Sequence, residues 1–220
     1  LANSGLRILM HGGGMHTAGR LYSEQLLELL DIPLCGDWPQ VASALEQQHL
    51  AFIPLGAWMP ELQRMIDLRN VLGLRSPIHS LARLLNPLQA RCGLQSIFHP
   101  GYQSVHRDAS QLLGDRVIVV KGEGGEIEVN PDSPCQLFGT SAQGIWNEEW
   151  PALSAQRHVK PAQLDPAKLL AVWHGHDTDE YGLQAITGSI ALALRGLGRT
   201  REEALEQARQ VWANRLTEAV

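Results

Sequence analysis

The chain has 220 residues, of which 44% are hydrophobic and 19% charged, and its formal net charge is −5. This composition is ordinary for a folded domain, and the length predicts one main domain over residues 1–220. The acidic balance does not favour a nucleic-acid binder, and no apolar run reaches membrane-spanning length. The spacing of Cys35, Cys92 and Cys135 is not typical of a metal site, and we expect reduced thiols in a cytoplasmic protein. Because no long apolar run is present, we expect no membrane partner.

Strands and helices alternate along the first half of the chain. Short apolar runs predict strands at residues 6–10, 49–54, 94–98 and 116–121. Apolar spacing and end signals predict helices at residues 21–30, 37–48, 60–72, 77–85 and 102–113. Strands separated by crossover helices predict a mostly parallel central sheet that helices flank on both faces.

The second half has a different pattern. We expect a turn at residues 122–125, an edge hairpin strand at 126–130, and an irregular segment at 131–151 with a short strand at 135–138. Helices are predicted at residues 165–173, 179–194 and 200–216. The last one begins with a capping box formed by Thr200 and Glu203.

The end of the first strand carries candidate ligand-binding residues. In open α/β sheets, ligands bind outside the carboxyl ends of the strands, where His11, Gly12 and Gly13 lie. Glycines let backbone amides approach an oxyanion closely, and His11 can donate to a ligand oxygen. The alternative is an ordinary strand-to-helix turn with a hydrogen-bonded histidine.

Basic residues concentrate in one region. Residues 57–110 contain six arginines against Glu61, Asp67 and Asp108, and the arginines are Arg64, Arg69, Arg75, Arg83, Arg91 and Arg107. This excess predicts either an anion-binding face for phosphates or a polynucleotide, or simply a solvated helix face.

The order of the motifs resembles a known family. His11-Gly12 is followed by Phe52-Ile-Pro54, by Arg69-Asn-Val-Leu-Gly-Leu-Arg75 and by Asn86-Pro87. This order resembles the anthranilate phosphoribosyltransferase family, of glycosyltransferase family 3 type, along nearly the whole chain. The resemblance implies a phosphoribosyltransferase/nucleoside-phosphorylase-like α/β domain. It also implies that the chain is the C-terminal α/β domain, and that the family's helical domain and donor glycine loop precede Leu1.

The resemblance implies roles for particular residues. His11, Gly12 and Gly13 would line the substrate pocket, and Arg69 would grip an acceptor carboxylate through two parallel hydrogen bonds. Thr17 is the one hydroxyl in the segment that corresponds to the phosphate loop. Glu128 would be the second member of a carboxylate pair that binds magnesium on the diphosphate. Without the resemblance, Glu128 reads as an exposed hairpin carboxylate.

Several positions depart from the family pattern. Met10 replaces a lysine, Gly13 an asparagine and Ile127 the first metal aspartate, and Arg83 lies in a segment that is usually apolar. These departures, and the segments around Phe52 and around Gly122–Pro131, resemble a branch of YbiB-type proteins. That branch implies a transferase fold with degraded motifs, and nucleic-acid binding on a basic groove. Arg64, Arg75, Arg83 and Arg91 are the candidates for such a groove.

The expected function has two forms. The first is a transferase that joins the ribose 5-phosphate unit of phosphoribosyl diphosphate to a small aromatic or nitrogenous acceptor, with magnesium as cofactor. The alternative is a catalytically silent protein that binds single-stranded nucleic acid, and a third form is a small-molecule sensor that uses the old acceptor pocket. We expect the 220-residue chain alone to be inactive, and the full-length protein to be a homodimer.

Two further groups of side chains have chemistry that could serve a function. His174, His176, Asp177 and Asp179 have the chemistry of metal ligands, although a surface loop is the simpler interpretation. Trp146, Trp150 and Trp173 could stack on bases, although packing onto the sheet is the simpler role.

Overall fold

The computed structural model describes residues 1–13, 23–122, 127–159 and 165–216. Its strands are β1 (Ile8–Gly12), β2 (Leu50–Pro54), β3 (Gly93–Ile97), β4 (Val117–Lys121), β5 (Cys135–Ser141) and β6 (Gly144–Trp150). Its α-helices are α1 (Trp38–Gln47), α2 (Leu55–Trp58), α3 (Pro60–Asp67), α4 (Arg69–Leu72), α5 (Ile78–Leu81), α6 (Gln103–Leu113), α7 (Pro166–Trp173), α8 (Glu180–Gly196) and α9 (Arg201–Ala213). The predicted α/β class is confirmed, but the described strands form two sheets with both parallel and antiparallel pairs rather than one mostly parallel sheet.

Contacts group the chain into two compact units. The first comprises Leu1–Ala82, Asp165–His176 and Arg215–Val220, and the second comprises Arg83–Leu164 and Asp177–Asn214. The prediction of a single domain over residues 1–220 stays a prediction, and each unit is described separately.

The first unit is built on a parallel pair of strands. β1 pairs with β2 in a register that places Leu9 opposite Ala51 and His11 opposite Ile53. α1 covers this pair with Val41 and Ala44, which pack with Cys35, Ala51 and Ile53 in one apolar cluster. Asp37 begins α1 because its Oδ1 accepts a hydrogen bond from the Gln40 amide at 2.9 Å, as its N-cap position predicts.

Two predicted helices of this unit differ from the structure. The helix predicted at 21–30 is wrong in its described part, because Ser23–Leu26 and Glu28–Leu30 form short 3₁₀ turns. Asp31 adopts a left-handed conformation with φ of 54°, which ends the second turn before a continuous helix can form. The helix predicted at 60–72 is divided into α3 and α4, and Gly73 ends α4 with φ of 69°.

The second unit contains a four-stranded sheet in the order β3-β4-β5-β6. β3 and β4 are parallel, whereas β5 pairs antiparallel with both β4 and β6. Val117, Ile118, Val119 and Val120 of β4 are all buried. Burial on both faces requires cover on both sides of the sheet, since consecutive strand residues point to opposite faces.

α8 and α6 supply that cover. Ile118 Cδ1 lies 3.3 Å from the place where a Cβ on Gly196 of α8 would stand. Gln95, which is paired with Val119 and therefore shares its face, donates to Ser110 Oγ of α6 at 3.2 Å. Helices therefore flank this sheet on both faces, as predicted.

The β5–β6 hairpin was predicted only in part, since the sequence indicated a strand at 135–138 alone. The strand predicted at 126–130 is wrong for its described residues 127–130, which form no strand. The Val129 amide donates to Ser189 Oγ of α8 at 3.0 Å, so a helix side chain takes the place of a strand partner. The turn predicted at 122–125 lies mostly outside the described residues.

The caps predicted for the last helices are present. Asp165 and Asp179 accept backbone hydrogen bonds at the starts of α7 and α8. The predicted capping box of α9 is complete, with Thr200 and Glu203 each accepting from the other's backbone amide. Within the described ranges, no helix has the length and apolar character needed to cross a membrane.

Candidate functional site

The His-Gly and Phe-x-Pro motifs lie side by side in the first unit. The parallel register places His11 opposite Ile53 and Gly12 opposite Pro54, at the carboxyl ends of β1 and β2. This is the edge of a parallel sheet at which α/β proteins bind ligands. The pairing therefore joins two of the motifs on which the family resemblance depends.

Gly12 lies close to the Phe52 ring, and Gly13 lies within ordinary contact distance of α3. A Cβ on Gly12 would stand 3.3 Å from Cζ of Phe52, which leaves little room for any other residue. A Cβ on Gly13 would stand 3.5 Å from both Gln63 Oε1 and Ile66 Cδ1 of α3. α3 therefore borders this loop, and backbone rather than side chain occupies the strand end.

His11 is partly exposed and packs against an indole ring. The His11 and Trp58 ring centroids are 6.0 Å apart in an edge-to-face arrangement, and Trp58 makes a second such contact with Trp38 at 5.3 Å. The Nε1 of Trp58 is buried and has no hydrogen-bond partner among the described residues. A buried donor without an acceptor lowers the stability of the fold, so Trp58 is a candidate to donate a hydrogen bond to a ligand oxygen.

The sequence does not indicate Trp58 and Gln63 as site residues. Gln63 Nε2 donates to Asp67 Oδ1 at 2.8 Å, which directs its Oε1 towards Gly13. Their position in the sequence could have indicated them, because both follow Pro54, the last residue of β2, within ten residues.

Arg69 lies in the same unit as His11. It is the first residue of α4, is partly exposed and interacts within the chain. Thr17, the predicted phosphate-binding residue, lies outside the described residues. His11, Gly12, Gly13 and Arg69 therefore share one unit, and of these the first three form a continuous strand end.

Glu128, the predicted metal residue, belongs to the second unit. Its side chain is partly exposed and interacts within the chain, and the neighbouring Ile127 is 39% exposed. In the part of the chain that the structure describes, no three metal-binding side chains come together. Glu128 can therefore supply one carboxylate but not a complete protein cage.

The four arginines predicted for a basic groove are divided between the units. Arg64 forms an exposed ion pair with Glu61 at 2.7 Å, and Arg75 is exposed; both belong to the first unit. Arg91 is exposed in the second unit, whereas Arg83 donates from Nη1 to the Ser96 carbonyl at 2.7 Å. Arg107, another member of the basic region, is buried and donates to Asn147 Oδ1 at 2.6 Å.

A buried polar layer in the second unit was not predicted. Gln103, His106, Arg107 and Ser110 of α6 are all buried on the face towards the sheet. His106 Nδ1 lies 3.2 Å from Gln95 Oε1, and burial together with the nearby Arg83 charge lowers the pKa of His106. His106 is therefore held neutral inside a hydrogen-bonded layer, and no periodicity in the sequence could reveal it.

The remaining candidates are the histidine pair and the tryptophans, and their contacts indicate neither a metal site nor a base-stacking surface. The exposed His174 and His176 rings stack with centroids 6.0 Å apart, outside any three-ligand cluster of the described residues. Trp150 is buried and donates from Nε1 to Glu148 at 2.7 Å, and Arg195 lies over the Trp146 ring at 4.4 Å. Trp173 offers its carbonyl to Arg215 Nε at 2.7 Å.

Comparison with known proteins identifies relatives of two kinds. Anthranilate phosphoribosyltransferase from Synechococcus sp. (strain RCC307) is 33% identical over 138 residues, which are 62% of this chain and 40% of that protein. The protein YbiB from Escherichia coli (strain K12) is 28% identical over 143 residues, or 64% of this chain and 44% of that protein. No protein-family model matches the chain. The chain spans about half the length of the curated relatives it matches.

Solved structures extend the similarity to nearly the whole chain. Anthranilate phosphoribosyltransferase from Thermus thermophilus superposes with a TM-score of 0.70 at 22% identity, covering 96% of this chain and 65% of that one. The enzyme from Saccharomyces cerevisiae in complex with 4-fluoroanthranilate gives a TM-score of 0.74 at 16% identity, covering 97% and 62%. The resemblance read from the motifs is therefore confirmed: the chain is similar in sequence to anthranilate phosphoribosyltransferases and to YbiB, and it has the fold of the former.

Proposed function

We propose that the chain is the α/β part of a phosphoribosyltransferase-type protein. The reaction joins the ribose 5-phosphate unit of phosphoribosyl diphosphate to a small aromatic or nitrogenous acceptor. The observation that carries this proposal is the pairing of His11-Gly12 with Ile53-Pro54 at the carboxyl ends of two parallel strands. Related yeast structures support it, since they are complexes with 4-fluoroanthranilate and with phosphoribosyl diphosphate and magnesium.

The residues of the first unit would bind and orient the acceptor. Arg69 would hold an acceptor carboxylate or phosphate, His11 would donate to a ligand oxygen, and the Gly12 and Gly13 amides would face an oxyanion. In the reaction the acceptor nitrogen forms a bond to the ribose C1 and loses a proton, while diphosphate departs with the electrons of the broken C–O bond. Positioning and charge stabilisation suffice, and no covalent nucleophile of the protein is needed.

Magnesium fits this chain only as an ion shared with the substrate. Mg²⁺ in phosphate-binding enzymes uses one or two carboxylates and completes its shell with phosphate oxygens and water. Glu128 can provide one carboxylate, while Ile127 provides none. When bound, the ion would neutralise charge on the departing diphosphate. We place the full-length protein in the cytoplasm on its three unpaired thiols, and we propose a homodimer on the family resemblance alone.

Substitution of Arg69 tests the proposed acceptor site. Calorimetric titration of the chain with anthranilate and with inorganic phosphate should show saturable binding that Arg69→Ala abolishes. Arg64→Ala is the matched control, because Arg64 belongs to the same unit but forms an exposed ion pair worth little to stability. Equal affinities of wild type and Arg69→Ala, with unchanged circular dichroism, would remove Arg69 from the site.

A second candidate function is binding of single-stranded nucleic acid. An exposed aromatic cluster at the end of β3 favours it: Phe98 and Tyr102 are 52% and 56% exposed, and His99 lies between them. The ring centroids are 4.9 Å apart for Phe98 and His99 and 6.4 Å apart for His99 and Tyr102. Exposed rings can stack on bases of any sequence, and the exposed Arg91 of the same unit would add a phosphate contact.

Anisotropy titrations with single-stranded DNA separate this candidate from the first. Phe98→Ala with Tyr102→Ala should weaken binding roughly tenfold or more, because stacking contributes about 1–3 kcal/mol per base. Each phosphate contact would add roughly −0.7 to the slope of the log–log salt dependence. Leu112→Ala is the control, since Leu112 is an exposed apolar residue of α6 without a ring. Absence of binding at micromolar protein and low salt would eliminate this candidate for the chain.

A further inference from the structure

The second unit contains a carboxylate whose two oxygens are both bound by one histidine. Asp132 Oδ2 accepts the His158 backbone N–H at 2.7 Å, and Asp132 Oδ1 lies 2.7 Å from His158 Nδ1. The two side chains are only 10% and 24% exposed. A two-point contact of this kind fixes the direction of the carboxylate as well as its distance, and so holds the backbone that carries it.

The segment preceding Asp132 is closed by one internal hydrogen bond and anchored at two more points. The Asp132 amide donates to Asn130 Oδ1 at 3.0 Å, and the Pro131 carbonyl accepts from the Ser154 amide at 2.9 Å. The Val129 amide donates to Ser189 Oγ at 3.0 Å, and that hydroxyl donates in turn to the Ala185 carbonyl of α8 at 2.7 Å. Residues 129–132 are therefore held from α8 on one side and from residues 154–158 on the other.

Packing reinforces these anchors. Val129 is 2% exposed, and its Cβ lies 3.1 Å from the place where a side chain on Gly188 of α8 would begin. Only glycine at 188 permits this approach, so α8 and the segment are in direct contact. Glu128 immediately precedes Val129, and the position of its backbone therefore follows from the anchored residues.

We propose that Asp132 and His158 form a clamp that fixes residues 128–133, which makes His158 a positioning residue for the carboxylate of Glu128. The metal-binding part of this inference rests on the proposed function, whereas the clamp itself does not. Ile127 leaves Glu128 as the single carboxylate where the family has a pair. A rigid backbone reduces the conformational entropy that Glu128 would lose when it binds the metal ion, so the remaining carboxylate binds more effectively. His158 thus acts through Asp132 and the backbone, without contact with substrate.

The surroundings of His158 suit this role. The Tyr181 ring packs edge-on against the imidazole with centroids 5.6 Å apart, which restricts rotation of the ring. The hydrogen bond to Asp132 raises the pKa of His158, and the Asp179 and Glu180 charges act in the same direction. Arg157, beside His158, adds to the forces that keep Asp132 ionised. Either a protonated ring or the neutral tautomer with hydrogen on Nδ1 can donate to Asp132.

Hydrogen exchange tests the clamp without any ligand. His158→Leu should accelerate exchange of the amides in residues 128–133 by about tenfold or more, while His158→Asn should retain most of the protection, since its side-chain amide can still donate. His99→Asn, at an exposed histidine of the same unit, should leave the exchange rates of residues 128–133 unchanged. Asp132→Asn provides a second route if His158→Leu does not fold. Unchanged exchange in both folded variants would overturn the clamp.

Manganese affinity tests the positioning role separately. Mn²⁺ titrations, followed by electron paramagnetic resonance with phosphoribosyl diphosphate present, should show binding that His158→Leu weakens and His158→Asn restores. Binding by wild type that His158→Leu leaves unchanged would overturn the positioning role. If wild type binds no Mn²⁺, the magnesium step of the proposed function fails and the positioning role fails with it, while the exchange experiment alone decides the clamp.

Discussion

Arg83 shows how partners determine what a charged side chain does. The family resemblance makes it a candidate for a basic groove, because it replaces part of a usually apolar turn with a cation. In the structure its guanidinium donates to the Ser96 carbonyl near the end of β3, and its charge helps to keep His106 neutral. Reversing the charge at Arg83 would therefore disturb this interior as well as any phosphate contact. Arg91, which is exposed, is the cleaner position for testing a polyanion surface.

The Asp132–His158 pair predicts a specific pH dependence of stability. The bond to Asp132 raises the pKa of His158 above its unfolded value, so the pair stabilises the fold fully below that unfolded value. This contribution disappears as the pH rises through the raised pKa of the folded protein. Although burial opposes it, hydrogen bonding to His158 lowers the pKa of Asp132, whose contribution is lost only as the pH falls through that lowered value.

Urea unfolding of wild type and His158→Asn measures this contribution. The difference in unfolding free energy between the two proteins should be larger at about pH 5.5 than at about pH 8.5, because the unfolded histidine titrates near pH 6.5. Comparing the two proteins at each pH cancels the titration of His106 and other shared groups. A difference that is equal at both pH values, or larger at the higher one, would contradict the assignment of an ionic pair.

At the scale of elements, the β5–β6 hairpin depends on one glycine. Gly139 is paired with Trp146 across the hairpin, and a Cβ at position 139 would overlap the indole ring. Arg195 of α8 lies over the same ring at 4.4 Å and donates to Glu148 at 2.8 Å, so the indole also contacts α8. Gly139→Ala should therefore destabilise the protein by about 1–3 kcal/mol, since overpacking forces side chains from their preferred rotamers.

Thermal unfolding followed by tryptophan fluorescence checks this prediction. A loss of this size should lower Tm by roughly 2–4 °C per kcal/mol in a chain of this length. Gly101→Ala is a suitable control, because no atom lies within 4 Å of the Cβ it would add. Equal melting temperatures for Gly139→Ala and wild type would show that Trp146 moves aside without cost.

The hairpin also shows which elements the sequence could predict. Helices with marked ends, such as α1 with Asp37 and α9 with Thr200, were predicted within a few residues because their caps are local. Residues 139–141 of β5 and all of β6 were not predicted, since their pairing depends on the fit of Trp146 over Gly139 across the hairpin. α6 was predicted as a helix, but its buried face is polar while Leu112 is 90% exposed, which no apolar pattern could anticipate.

At the scale of the molecule, the candidate site was predictable as far as sheet topology determines it. Parallel strands end at one edge, so His11-Gly12 and Pro54 had to meet once the strands were identified. Trp58 and Gln63 were not predictable, because their approach depends on how α2 and α3 fold back over that edge. The arginines could be counted in the sequence, but their division between two units and the interior bonds of Arg83 and Arg107 could not.

The altered motifs lead to a prediction for the activity of the chain as a whole. The 220-residue chain should not convert anthranilate and phosphoribosyl diphosphate at an ordinary enzymatic rate, as loss of anthranilate fluorescence would measure. Met10 stands where the family has a lysine and Ile127 where it has a metal carboxylate, and each loss should cost roughly two or more decades in rate. A chain that still binds anthranilate through Arg69 without consuming it would show that this fold retains acceptor-binding residues after residues needed for catalysis have been replaced. Rapid consumption, with Arg69→Ala inactive, would instead show that other groups replace the lost charges.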